Sequence, residues 1–140
     1  MKFTKLLILF GILVLAPVCA APQTRSLTTK WVDKYPDAKF FNQPQIKGPL
    51  QRILTKADFD SLGDYNVMIP IRRVGDYLLA YRSIKYSEPV ASVSLAYGLK
   101  DNAVYIVFSQ DEQHRKFSTK SNEFNLPKEV LDELGLTKAP

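Results

Sequence analysis

The chain has one cysteine, one histidine, one tryptophan and six glycines among its 140 residues. Each scarcity excludes something. A lone cysteine, Cys19, cannot close an internal disulfide. A lone histidine, His114, leaves no His/Cys set for zinc and no Ser/His/acid set at a recognisable spacing. The few glycines form no phosphate-binding loop. The charge is 19 basic against 14 acidic side chains without a concentrated Lys/Arg stripe. Nucleic acid is therefore not an expected partner.

What acidic groups there are do not read as a metal or catalytic centre. Asp58, Asp60 and Asp64 are spaced a little like calcium ligands. No glutamate follows at the twelfth position, however, and Phe59 and Leu62 between them have core character. Glu129, Asp132 and Glu133 read as the solvated face of a helix, since paired glycosidase carboxylates need a cleft between them. His114 stands among Asp111, Glu112, Arg115 and Lys116, a run that suits an exposed hairpin tip. The expectation is no catalytic residue, no metal and no cofactor, hence a binding protein rather than an enzyme.

The amino terminus has Lys2 and Lys5, an apolar run from Leu6 to Ala16, then Pro17, Val18, Cys19 and Ala20. Basic, apolar and small segments in that order predict a signal peptide over residues 1–20, cleaved near Ala20, and a periplasmic or secreted domain. The run is shorter than the roughly 20 apolar residues of a transmembrane helix, so no stable membrane anchor is expected. The alternative at this end is a lipid on Cys19. Cleavage after Ala20 removes Lys2, Lys5 and the only cysteine, leaving 17 basic against 14 acidic groups, a net charge of +3.

Residues 21–48 carry Pro22, Pro36, Pro44 and Gly48 among the aromatics Trp31, Tyr35, Phe40 and Phe41. That density of proline predicts an irregular arm, with one short helix near Thr29–Lys34. The α+β domain is expected over residues 49–140. Leu50–Leu62 has near-helical apolar spacing, with Thr55 and Asp58 able to restart a helix by capping, and Gly63 closing it. Val67–Val74 reads as a strand that Pro70 confines to a sheet edge or a bulge. Tight turns at Gly75-Asp76 and Lys100-Asp101-Asn102 separate Tyr77–Ile84, Val90–Tyr97 and Ala103–Ser109. In the third of these strands Val93, Leu95 and Tyr97 alternate with Ser92, Ser94 and Ala96, as in a half-buried strand. A turn at Gln110–Gln113, a short exposed strand at Arg115–Thr119 and a helix at Leu126–Leu134, stopped by Gly135, complete the chain. The predicted fold is a single antiparallel meander with a helix before it and a C-terminal helix after it.

Between two core strands lies the polar loop Ser83-Ile84-Lys85-Tyr86-Ser87-Glu88-Pro89. A rigid sheet presenting such a loop suits a plug for a partner's cleft, because the scaffold has already met the ordering cost. The stretch YLLAYRSIKYSEPVASVSLAYGLKDNAVYIVFS, Tyr77 to Ser109, resembles without a gap the strand, loop, strand, turn, strand segment of the inhibitor of vertebrate lysozyme family. Thr55-Lys56-Ala57-Asp58-Phe59 is similar to the helix before that family's sheet. The family comprises small periplasmic proteins that block c-type lysozymes with a Cys-Lys-Pro-His-Asp-Cys hairpin. Here Ser83 and Glu88 stand at the cysteines, Ile84 at the lysine and Tyr86 at the histidine.

The resemblance implies an inhibitor scaffold and a protein partner. The substituted loop and the net charge of +3, which does not steer toward basic lysozymes, direct the expectation to another peptidoglycan-cleaving enzyme. The partner-binding residues would be Ser83, Ile84, Lys85, Tyr86, Ser87 and Glu88. Lys85 or Glu88 would pair with the partner's catalytic carboxylates or their neighbours, and Tyr86 would fill a sugar subsite. Rival readings are an immunity protein that neutralises a toxin through another face, and a small ligand-binding or structural envelope protein with its site beside Tyr81 and Tyr97.

Overall fold

A computed structural model of the chain describes residues 26–86, 90–121 and 123–137. The expected signal peptide, and Ser87, Glu88 and Pro89 of the loop, lie outside the described residues. Five strands, β1 (Val67–Val74), β2 (Tyr77–Ser83), β3 (Ala91–Gly98), β4 (Val104–Gln110) and β5 (Gln113–Ser118), pair in sequence order. Every neighbouring pair is antiparallel. The meander and the mixed α+β class are as the sequence predicts.

The strand period of two sorts the side chains into two cores. Leu78 and Ala80 of β2, Val93, Leu95 and Tyr97 of β3, and Val104, Ile106 and Phe108 of β4 share one face. Over this face lie four helices or turns. They are a 3-10 turn at Thr29–Trp31, α1 (Ala38–Phe41), α2 (Pro44–Ile53) and α3 (Lys56–Ser61), which contribute Phe40, Phe41, Ile46, Leu50 and Leu54 to the core. The opposite face carries Leu79, Ala96, Tyr105 and Val107 under α4 (Lys128–Glu133), whose Val130, with Leu134 just after it, packs there. The third strand is thus buried on both sides rather than half-buried, because a layer covers each face.

The segment expected to be an irregular arm is the first part of the helical layer. Asp37 caps α1, its Oδ1 accepting hydrogen bonds from the backbone N–H groups of Lys39 at 2.9 Å and Phe40 at 3.1 Å. Pro44 occupies the first turn of α2, where an N–H would have no helical partner. Pro49 sits inside the same helix. Its local cost is outweighed by Ile46 and Leu50, both fully buried one turn apart. Helix α2 consequently runs through the expected boundary between residues 48 and 49.

Thr55 ends that run and restarts it, as its spacing to Asp58 suggests. Its hydroxyl accepts from Asp58 N–H at 3.1 Å and donates to Asp58 Oδ2 at 2.9 Å, capping α3. Pro70 marks both an edge strand and a bulge. Ile69 pairs with Tyr81 but Arg72 with Leu79, so β1 spends an extra residue there. The bulge buries the Ile71 side chain completely. Its backbone turns to residues 33 and 34, donating to Lys34 O at 2.7 Å and accepting from Asp33 N–H at 2.8 Å. Part of the exposed edge is thereby covered. At the other end α4 stops at Gly135, φ +72°, with Gly135 N–H donating to Asp132 O and Leu136 N–H to Leu131 O.

The Asp58–Arg115 pair ties the helical layer to β5, the guanidinium Nη2 donating to Asp58 Oδ1 at 2.8 Å. This hydrogen bond holds the Asp58 pKa below the ordinary 3.8 against the opposing effect of burial. A depressed folded-state value means that the stabilisation is present above the unfolded pKa and is lost as pH falls through the folded one. Asp58→Asn should therefore be less stable than wild type at neutral pH. Urea titrations from pH 7 down to pH ~2 should show the gap closing once pH drops below the ordinary aspartate range. A gap independent of pH would show that the carboxylate's charge is not what stabilises.

Candidate functional site

The β2–β3 connection rises from two adjacent core strands. Ser83 closes β2, paired with Ser92 on one side and Val67 on the other. Ile84 N–H donates to Ala91 O at 3.0 Å, carrying the ladder one step further. Lys85 N–H donates to Asn66 Oδ1 at 3.4 Å, which fixes the start of the loop to the segment leading into β1. Tyr86 then stands at the tip, 89% exposed, with Lys85 Nζ 4.7 Å from its ring centroid. The lysine and tyrosine form one cation–π unit.

The backbone at Tyr86 is unusual. Four described residues other than glycine have φ in the left-handed region: Asp33, Asn102, Asp111 and Tyr86, the last at +59°. Asp and Asn tolerate that region because their short polar side chains bond locally, whereas a bulky tyrosine gains nothing of the kind. Tyr86 is thus in a conformation its residue type does not favour, and such positions concentrate at sites of recognition. Other exposed apolar groups lie on the strands that lead to and from the loop. Val90 on the returning side is 62% exposed, and Val67 and Ile69 of β1 are exposed beside Ser83 and Tyr81.

Of the six residues expected to bind a partner, Ser83, Ile84, Lys85 and Tyr86 are thus brought to one end of the sheet. Ser87 and Glu88 lie outside the described residues. Sequence reasoning passed over Arg82, one step before the loop. Its side chain points to the helical face, opposite Val93, and is only 8% exposed. The guanidinium lies 5.4 Å from the Phe41 ring centroid, and its Nε has no hydrogen-bond partner. Burial pushes its pKa below the ordinary arginine value, with Asp37 partly restoring it. The alternation Leu78, Ala80, Arg82 was the available signal, since it puts the arginine in register with core residues.

The other candidates are spent elsewhere. His114 is exposed and shares a 2.8 Å hydrogen bond with Ser109 across the β4–β5 hairpin. Among the described residues no carboxylate is hydrogen-bonded to the imidazole. Asp58 binds Arg115 and Asp60 binds Lys56, so these two do not converge on a cation. Among the described residues no group of three or more His, Cys, Asp or Glu could hold a metal. Glu133 pairs with Arg72 and Asp132 with Lys128 on the surface of α4. Tyr81 and Tyr97 fall on opposite faces of the sheet, and Tyr97 is fully buried, so the two cannot line one pocket. Open grooves of about 360 and 320 Å³ lie beside Phe59 and Tyr77, away from the loop. Among the described residues no helix is long and apolar enough to cross a membrane. Comparison of the chain with protein-family models, curated proteins and solved structures finds no match.

Proposed function

We propose that the protein is an exported binding protein that inhibits a peptidoglycan-cleaving, lysozyme-like enzyme by inserting the Ser83–Pro89 loop into its cleft. The observation that carries this reading is Tyr86, a bulky aromatic at φ +59° and 89% exposed in the connection between β2 and β3. An exposed aromatic anchor with a cation stacked on it has the composition of a protein-binding hot spot. The likeness of Tyr77–Ser109 to the lysozyme-inhibitor segment supplies the class of partner. An exported chain, as the order of segments in residues 1–20 is read, would work where peptidoglycan is cleaved.

The test adds the purified protein to a c-type lysozyme, and to hydrolases from envelope extracts, and follows the clearing of a peptidoglycan suspension. At least one of these enzymes should be slowed at near-stoichiometric inhibitor. If none is slowed at any concentration of protein, the proposal fails.

A further inference from the structure

Arg82 is a charged side chain that the fold buries without giving it a counter-ion. Among the described residues it has no ion pair. Asp37 acts on it electrostatically, but that carboxylate's Oδ1 is engaged by two backbone N–H groups at the start of α1. Phe41 offers the guanidinium an aromatic face, an interaction that supplies no acceptor for its N–H groups. A buried cation in this position is costly unless something anionic completes it. The other arginine on the same cross-strand row, Arg115, has that completion from Asp58.

We propose that Arg82 is the receptor for a carboxylate, presented from outside at the root of the β2–β3 hairpin. A guanidinium matches the two oxygens of a planar carboxylate through paired, charge-assisted N–H donors. A single cation suits a monoanion better than a phosphate dianion, which recruits several donors. The carboxylate comes either from a small organic acid or from an Asp or Glu side chain of a bound protein. The site uses none of the loop residues and stands whether or not a peptidoglycan hydrolase is the partner.

The arginine Nε–H signals of the ¹⁵N-labelled protein, expressed from the full chain, provide the test, the Arg82 signal being assigned by its loss in Arg82→Lys. Sodium acetate should move that signal saturably at millimolar concentration, while sodium chloride and phosphate at equal ionic strength should not. A capped glutamate, N-acetyl-glutamate methylamide, producing the same shift identifies a side-chain source. Acetate acting alone identifies a small acid. Acetate should also raise the unfolding midpoint of wild type but not of Arg82→Lys, by preferential binding to the folded state. If the signal does not move with acetate, or moves as much with chloride, Arg82 is a packing element and the inference is wrong.

Discussion

Truncating Phe40 to alanine should lower the stability of the fold by about 3–5 kcal/mol, the usual cost of removing a buried phenylalanine. Phe40 is fully buried, with the Trp31 ring centroid at 5.3 Å and that of Phe41 at 5.5 Å, both edge-on. Its own N–H is held by Asp37, so the helix turn that carries it cannot slide to fill the space. Small domains have about 5–15 kcal/mol in all, and a loss of this size consumes a large share of it. Urea unfolding should show the midpoint falling with an unchanged slope. A peripheral arm would behave otherwise, with a change within about 0.5 kcal/mol.

The second large effect is on binding. Replacing Lys85 and Tyr86 together by alanine should weaken association with the proposed hydrolase partner at least ~30-fold, corresponding to the loss of about 2 kcal/mol or more at a hot spot. The stability of the protein should not suffer. Tyr86 is almost fully exposed and its lysine contact lies outside both cores. Most of the loss should appear as faster dissociation, because an apolar and aromatic anchor acts after encounter while steering depends on charges spread over the surface.

The sheet was legible in the sequence because its strands are short, turn-bounded and period-two. Pro70 announced an edge and a bulge, Gly75 and Asp76 a turn, and Thr55 with Asp58 a helix start, and in each case the local chemistry decides the local structure. The helical layer was harder to read. Pro44, Gly48 and Pro49 argue against a helix by intrinsic preference, and only the core beneath Ile46 and Leu50 reverses that. Which residues face the same core from α1 and α2 depends on contacts distant in sequence, which periodicity within one segment does not record.

The same division applies to the site. The loop was visible as a polar break between apolar strands, and Lys85, Tyr86 and Glu88 as its candidate partner contacts. The left-handed backbone at Tyr86 is a turn conformation that its residue type does not announce, and the placement of Val67 beside Ser83 and Ile69 beside Tyr81 comes from register between strands. Arg82 illustrates the limit from the other side. A strand arginine is ordinarily read as facing solvent, and only the layer above β2 encloses it.

The most direct measurement of the central claim is the dissociation constant, by calorimetry, for whichever peptidoglycan-cleaving enzyme the protein inhibits. It should be taken for wild type, for the Lys85→Ala, Tyr86→Ala double variant, and for Lys100→Ala. Lys100 is exposed in the β3–β4 turn, at the opposite end of the sheet. The loop account predicts a loss of ~30-fold or more for the double variant, and none beyond error for Lys100→Ala. A double variant that binds as tightly as wild type would place the interface elsewhere on the molecule and contradict the account.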